Sequence, residues 1–169
     1  MSQIDSVLGN NAKFSAAFSG RKVPPTPSRR ITIVSCMDAR LDPAALLGLE
    51  LGDAHVLRNA GGIVTDDVVR SLAISQRFLG TREVMLIHHT DCGLLMATEE
   101  EMKDAIESVV GQRPSFEMGA FADLEADVLA SIARVEASPF VLHKDAIRGF
   151  VYEVETGTLR EVDRGGRTV

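Results

Sequence analysis

The sequence is poor in cysteine and contains no long apolar run, and both features exclude common classes of protein. It has 2 cysteines in 169 residues, too few for the disulfide framework that stabilises small secreted domains. No apolar stretch approaches the roughly 18 residues that span a membrane. Residues 1–11 also lack the basic-then-apolar pattern of a secretory signal peptide. We therefore expect a cytoplasmic protein that does not enter a membrane.

The sequence has no cluster of basic residues either. Its formal net charge is -6, and the 18 Lys and Arg residues are dispersed in runs of at most two. A nucleic-acid-binding domain normally carries a basic stripe or patch. We therefore expect no nucleic-acid partner.

The first part of the chain is expected to form an arm separate from the main domain. Apolar side chains recur there at helical spacing: Ile4, Val7, Leu8, Phe14 and Phe18. This spacing predicts an amphipathic helix ending at Gly20. Prolines at positions 24, 25 and 27 then exclude helix and central strand. Residues 1–27 are predicted to be an arm with a rigid connector, and residues 28–169 a single α/β domain.

Within that domain, segments typical of strands alternate with segments typical of helices. Strands are predicted over residues 31–35, 55–59, 83–88 and 147–154, with an edge strand over 159–162. Helices are predicted from the Asp42 cap through Leu49, from Thr65 to Leu79, after a capping box of Thr98 and Glu101, and over 119–136. This order predicts an α/β fold: a mostly parallel four-stranded sheet with an added edge strand and helices on both faces.

Three candidate metal ligands lie at the ends of two predicted strands. Cys36 ends the first strand, and His89 and Cys92 follow the third. Ligands of open α/β sheets bind at the carboxyl ends of the strands, so these side chains converge if the two strands are neighbours. Two thiolates and one imidazole suit zinc, and three protein ligands leave a position free for catalysis. The absence of Cys-x-x-Cys and His-x-x-x-His argues against a structural zinc finger.

Other interpretations of these residues remain open. Free cysteines also act as small buried apolar residues, although the ionisable side chains around both cysteines favour a functional site. Asp91 is either a surface charge or an acceptor that supports the ligands. His88 is expected to pack on the opposite face of the strand from His89. His55 has no evident partner and is expected to be solvated, and His143 is a weaker candidate for a proton shuttle.

The segments that carry these ligands resemble motifs of a known family. Residues 36–40 resemble the Cys-x-Asp-x-Arg motif of β-class carbonic anhydrases, and residues 88–93 resemble their His-x-x-Cys motif followed by Gly. Between the two, residues 58–62 are similar to the glycine-bearing loop that lines the pocket in this family. The resemblance implies four pocket residues there: Asn59, Ala60, Gly61 and Gly62. The motifs occur in the family's order, and the resemblance extends from about Ile31 to the end of the chain.

The resemblance implies a function and a role for each residue. Cys36, His89 and Cys92 would bind one Zn²⁺ per chain, and a zinc-bound hydroxide would convert carbon dioxide reversibly to bicarbonate and a proton. Asp38 would accept a hydrogen bond from the hydroxide, and Arg40 would hold Asp38 ionised. The resemblance also implies a homodimer or higher homo-oligomer, in which the N-terminal helix crosses to the partner.

Three alternatives to this function remain at the level of the sequence. The same chemistry would hydrolyse a related heterocumulene, carbon disulfide or carbonyl sulfide. A non-catalytic zinc-binding protein would keep the fold with Asp38 closing the site. A redox protein would use Cys36 and Cys92 as a thiol pair and bind no zinc.

Overall fold

The structure, a computed structural model, describes residues 2–18 and 22–165. Its strands are β1 (Ile31–Cys36), β2 (Ala54–Asn59), β3 (Glu83–His89), β4 (Ile147–Glu153) and β5 (Thr158–Glu161). Its helices are α1 (Gln3–Ala17), α2 (Pro43–Leu47), α3 (Asp66–Leu79), α4 (Glu99–Val110) and α5 (Leu124–Ala137). Two short 3₁₀ turns, Ala60–Gly62 and Gly93–Leu95, follow β2 and β3. Strands and helices alternate as predicted, and the α/β class is confirmed.

The five strands form one sheet in the order β2-β1-β3-β4-β5. The first four are parallel, and β5 pairs antiparallel with β4 at the edge. The predicted mostly parallel sheet with an added edge strand is therefore confirmed. Strands β1 and β3 are direct neighbours, with Ser35 opposite Ile87. This adjacency is what brings the ends of the two ligand-bearing strands together.

The main core lies between the sheet and two helices on one of its faces. Val34, Leu86 and Val151 are fully buried there, together with apolar residues of α3 and α5. The β1–β2 connection, which contains α2, runs across the sheet in the opposite direction from the α3 connection. The right-handed crossover rule therefore places α2 on the other face. That face is less completely covered, since Val56 is 40% exposed.

Helix ends largely follow the predicted capping chemistry. The Asp42 carboxylate accepts from the backbone N–H groups of Ala44 and Ala45 at the start of α2. Thr98 and Glu101 form the predicted capping box of α4. Helix α2 ends at Leu47 rather than Leu49, because Gly48 adopts the left-handed conformation that terminates helices.

Helix α5 starts later than the sequence predicts. The predicted start at Gly119 is wrong, and the helix begins at Leu124 after the cap Asp123. The Glu99 carboxylate accepts hydrogen bonds from the backbone N–H groups of residues 118–120, at 2.7, 3.0 and 3.4 Å. Gly119 also has a φ of +79°. These contacts fix residues 118–120 in a loop beside the start of α4, and local helix periodicity does not reveal them.

The predicted N-terminal helix is present as α1, and none of its residues is buried. Its apolar side chains are exposed, including Ile4 at 69% and Phe14 at 63%. The helix ends at Ala17, and Gly20, where it was predicted to end, lies outside the described residues. Across the described ranges, no helix combines the length and apolar composition needed to cross a membrane.

Candidate metal centre

The three predicted ligands come together at the carboxyl ends of β1 and β3. One ligand atom from each of Cys36, His89 and Cys92 lies within 4.8 Å of the other two. All three residues are buried, with at most 4% of any one exposed. Cys36 and His89 are the last residues of their strands, and Cys92 precedes the turn Gly93–Leu95. Because β1 and β3 are adjacent and parallel, Cys36 lies close to His89 and Cys92, although more than fifty residues separate it from them in the chain.

The imidazole of His89 is oriented to present a free lone pair. Its Nδ1 lies 2.8 Å from the carbonyl oxygen of Thr90, which makes Nδ1 the protonated nitrogen. Its Nε2 is buried and has no hydrogen-bond partner among the described residues. A buried polar atom without a partner is costly. A metal ion at the cluster would occupy this lone pair, so the arrangement of His89 fits zinc.

The two thiols fit the same ion. Contact between the two thiols lowers the pKa of Cys36 and raises the pKa of Cys92. Burial works against ionisation of both thiols. A divalent cation would stabilise both sulfur atoms as thiolates, the form of cysteine that binds metal ions.

Asp38 and Arg40 form a tight pair beside the cluster. Arg40 donates to Asp38 from its backbone N–H at 2.8 Å, from Nε at 3.0 Å and from Nη2 at 2.8 Å. These bonds hold the pKa of the Asp38 carboxyl well below its usual range. Asp38 Oδ2 lies 3.8 Å from His89 Nε2. The carboxylate thus faces the ligand cluster while Arg40 holds it from the other side.

Arg40 also binds Asp91, the residue whose role the sequence left open. Nη1 of Arg40 donates to Asp91 Oδ2 at 2.6 Å, and Nη2 donates to the Asp91 carbonyl oxygen at 2.9 Å. Asp91 has a φ of +55°, in the left-handed region. Asp91 is therefore an acceptor that supports the site rather than an isolated surface charge.

A second arginine supports the segment that carries Cys36 and Asp38, a role that local sequence patterns do not indicate. Arg58 on β2 donates from Nε to the Cys36 carbonyl oxygen at 3.0 Å and from Nη2 to the Asp38 carbonyl oxygen at 2.7 Å. Arg58 is opposite Ser35 in the parallel pairing of β1 and β2. The signal available in the sequence was its place as the first residue of the family-like segment 58–62.

The glycine-bearing segment packs against the ends of the ligand strands. Asn59 ends β2, and its Nδ2 donates to the Ile63 carbonyl oxygen at 2.9 Å. Ala60, Gly61 and Gly62 form the following turn. A Cβ atom on Gly62 would lie 2.7 Å from the backbone nitrogen of Cys36. Gly62 is therefore required for close packing beside a ligand, and the role of the segment in lining a substrate pocket stays a prediction.

Apolar side chains surround the sulfur atoms. Cys36 and Cys92 belong to a buried cluster with Leu41 and Leu94, and Phe121 packs against it. Such surroundings suit a small, uncharged substrate better than a highly charged one.

The remaining histidines lie outside the cluster. His88 is fully buried, and its Nε2 lies 2.7 Å from Asp127 Oδ2, which confirms the prediction of a packed histidine. The prediction of a solvated His55 is wrong, because its Nδ1 lies 2.7 Å from the buried Ser75 hydroxyl. The proton-shuttle hypothesis for His143 is also wrong within one chain. This residue precedes β4 at the amino ends of the strands, the opposite edge from the cluster.

Comparisons with known proteins agree with this site. A family model described as carbonic anhydrase matches residues 31–159. β-Carbonic anhydrase 1 of Mycobacterium tuberculosis is 51% identical over 162 residues, covering 96% of this chain and 99% of that protein. A crystal structure of a carbonic anhydrase from Streptococcus mutans has a TM-score of 0.92 at 41% identity, covering 96% and 99% of the two chains.

A protein named for a different activity is a more distant relative. Carbon disulfide hydrolase of Saccharolobus solfataricus is 36% identical over 169 aligned positions, covering 85% of this chain and 83% of that protein. The matched family model, the 51% identity and the shared fold all lead to one assignment. The chain belongs to the β-carbonic anhydrases, a family of zinc enzymes that hydrate carbon dioxide.

Proposed function

We propose that this protein converts carbon dioxide reversibly to bicarbonate and a proton at one zinc ion per chain, bound by Cys36, His89 and Cys92. The convergence of two thiols and the unpartnered His89 Nε2 is the observation that carries this proposal. When bound, zinc makes water acidic enough to act as a nucleophile near neutral pH. Three ligand side chains converge within the described residues, so a four-coordinate zinc would keep one position for that water.

Asp38 is proposed to orient the reacting water. Its Oδ1 accepts from the Arg40 backbone N–H and Nε, and its Oδ2 accepts from Nη2. Oδ2 retains acceptor capacity and is the oxygen nearer His89. Since Arg40 holds the pKa of Asp38 well below its usual range, the carboxylate accepts a hydrogen bond and does not compete for the proton. Arg40 thereby keeps Asp38 ionised and correctly directed.

Substrate is proposed to bind between the cluster and the glycine-bearing segment. The candidate pocket residues are Asn59, Ala60, Gly61 and Gly62. Gly61 and Gly62 carry no side chains, so a small linear molecule can approach the backbone there closely. The apolar neighbours Leu41 and Leu94 favour an uncharged molecule such as carbon dioxide over bicarbonate.

Particular observations favour or oppose each of the alternative functions. Carbon disulfide hydrolysis is suggested by the relative at 36% identity, whereas carbon dioxide hydration is suggested by the relative at 51% identity. A site closed by Asp38 is opposed by the three hydrogen bonds that Arg40 makes to that carboxylate. A thiol redox pair would not account for the buried His89 Nε2, which has no hydrogen-bond partner among the described residues.

The chain is further proposed to form a homodimer through its N-terminal arm. None of the described residues of α1 is buried within one chain. The apolar side chains of Ile4, Val7 and Phe14 are each more than half exposed. Burial of such side chains against a second copy stabilises an assembly. Deletion of residues 1–27, the proposed arm and connector, should shift the mass measured by light scattering toward the monomer while the domain of residues 28–169 remains folded.

A cytoplasmic location is also proposed, since Cys36 and Cys92 must remain reduced to bind zinc. Cell fractionation tests it, and recovery of the protein from an extracytoplasmic fraction would contradict it.

The function is tested by zinc analysis and stopped-flow turnover on one reduced preparation. Wild type should hold one zinc per chain and hydrate carbon dioxide faster than it hydrolyses carbon disulfide or carbonyl sulfide. His89→Gln should lose both zinc and turnover, whereas the control His143→Gln should keep both. Zinc without carbon dioxide hydration would contradict the proposal, as would a protein that holds no zinc and forms a Cys36–Cys92 disulfide on mild oxidation.

A further inference from the structure

We infer that Asp91 is a positioning residue that keeps the metal site open by anchoring Arg40, which in turn holds Asp38 away from the metal. This inference rests on the proposed function, because it concerns the competition between Asp38 and water for one coordination position. It assigns a role to a residue that neither binds the metal nor contacts Asp38 directly.

The Arg40 guanidinium lies between two acidic residues and uses all of its nitrogen atoms. Nε and Nη2 donate to Asp38, while Nη1 donates to the Asp91 carboxylate and Nη2 also donates to the Asp91 carbonyl oxygen. Asp38 follows the ligand Cys36, and Asp91 lies between the ligands His89 and Cys92. Arg40 therefore connects the two segments that carry the ligands.

The backbone at Asp91 is shaped for this contact. Its φ of +55° is uncommon for a residue with a side chain, and Asp and Asn tolerate it best. In this conformation the carboxylate and the carbonyl of one residue both face the same guanidinium. Two acceptors at fixed positions restrain an arginine whose side chain is 46% exposed.

This restraint matters because Asp38 is close to the metal cluster. Its Oδ2 lies 3.8 Å from His89 Nε2, so a modest side-chain rotation would bring the carboxylate within reach of a bound cation. A flexible arginine bound to Asp38 alone would follow that rotation. An arginine also bound to Asp91 would have to break those contacts, so the Asp91 contacts favour the arrangement in which Asp38 stays away.

The test compares two substitutions at Asp91 with a matched control. Asp91→Gly removes the carboxylate and permits the left-handed backbone, so it isolates the side chain. Asp91→Asn keeps the turn and the size but removes the charge. Asp66→Asn is the control, because Asp66 also forms an exposed pair with an arginine, Arg134, at 2.7 Å and lies outside the site.

The direct readout is the affinity of azide for the cobalt-substituted protein, followed in the visible spectrum. An external anion binds only where the coordination sphere has an exchangeable position. Asp91→Gly should weaken azide binding and lower kcat/KM by up to roughly 5-fold each, the largest change that loss of an exposed ion pair can make to the population of the open site. Asp91→Asn should show a smaller loss, and Asp66→Asn should match wild type.

The inference would be overturned if Asp91→Gly had the same azide affinity and the same kcat/KM as wild type. Equal losses in Asp66→Asn would also overturn it, since the effect would then be a general one of surface charge. Failure of the proposed function would look different, because wild type itself would then lack hydration activity.

Discussion

The packing of Gly62 against the ligand strands makes a quantitative prediction. Substitution of Gly62 by alanine would place a Cβ atom 2.7 Å from the Cys36 nitrogen and 2.9 Å from both the Ile87 oxygen and the Ser35 carbonyl carbon. These neighbours are backbone atoms of β1 and β3, so none can move as a flexible side chain would. The φ of Gly62 is also +71°, a conformation that alanine disfavours.

Two effects add to the expected cost of Gly62→Ala. The left-handed conformation costs a residue with a Cβ about 1–2 kcal/mol. Overpacking against rigid neighbours costs a further 1–3 kcal/mol or so. The total loss in the free energy of unfolding should therefore be about 2–5 kcal/mol. With a urea m value of about 2 kcal/mol per M, the unfolding midpoint should fall by roughly 1–2.5 M.

Gly111→Ala provides the matched control. Gly111 has a φ of +74°, and a Cβ atom there would meet nothing within 4 Å. It should therefore show the conformational cost alone, about 1–2 kcal/mol. The effect of each substitution on the entropy of the unfolded chain is the same and cancels in the comparison. Urea unfolding of both zinc-loaded variants measures the difference, and a Gly62→Ala midpoint no lower than that of Gly111→Ala would refute the reasoning.

Three further predictions concern pH, Arg58 and the metal. Hydration should accelerate from about pH 6.5 to about 9, because two thiolates neutralise the zinc charge and leave the reacting water less acidic than at a three-histidine site. Since the pKa of Asp38 is lowered, its carboxylate is already ionised throughout this pH range and adds no second step to the pH–rate profile. A hydration rate that is already constant below neutral pH in stopped-flow measurements would contradict the pH prediction. Arg58→Ala removes donors to the carbonyls of Cys36 and Asp38; it should lower kcat/KM by roughly 10-fold, and unchanged kinetics would show that the segment is held without it. Chelation of zinc should lower the thermal midpoint reversibly, and an unchanged midpoint would mean that no metal stabilises the fold.

The ligand cluster was predictable because its signals are local. Cys36 and His89 each end an apolar, strand-like segment, and the alternation of strands and helices implies parallel strands whose carboxyl ends share one edge. The helix caps were predictable for the same reason, since Thr98 and Glu101 are three residues apart and interact within one turn. Local patterns do not show whether β1 and β3 are neighbours. The structure shows that they are.

Contacts between distant segments were not predictable in the same way. Arg40 and Asp91 are far apart in the chain, as are Glu99 and the loop at residues 118–120. Nothing in the local pattern of an arginine or an aspartate identifies its partner across a fold. The wrong start of α5 and the missed hydrogen bond of His55 have this common origin, because each depends on which segments the topology brings together.

X-ray absorption at the zinc edge of the wild-type protein tests the central claim most directly. We expect one zinc per chain with two sulfur ligands at about 2.3 Å and two lighter ligands at about 2.0–2.1 Å. These are Cys36, Cys92, the His89 nitrogen and an exchangeable oxygen. Zinc bound without sulfur, or a protein that takes up no zinc when reduced, would contradict the account.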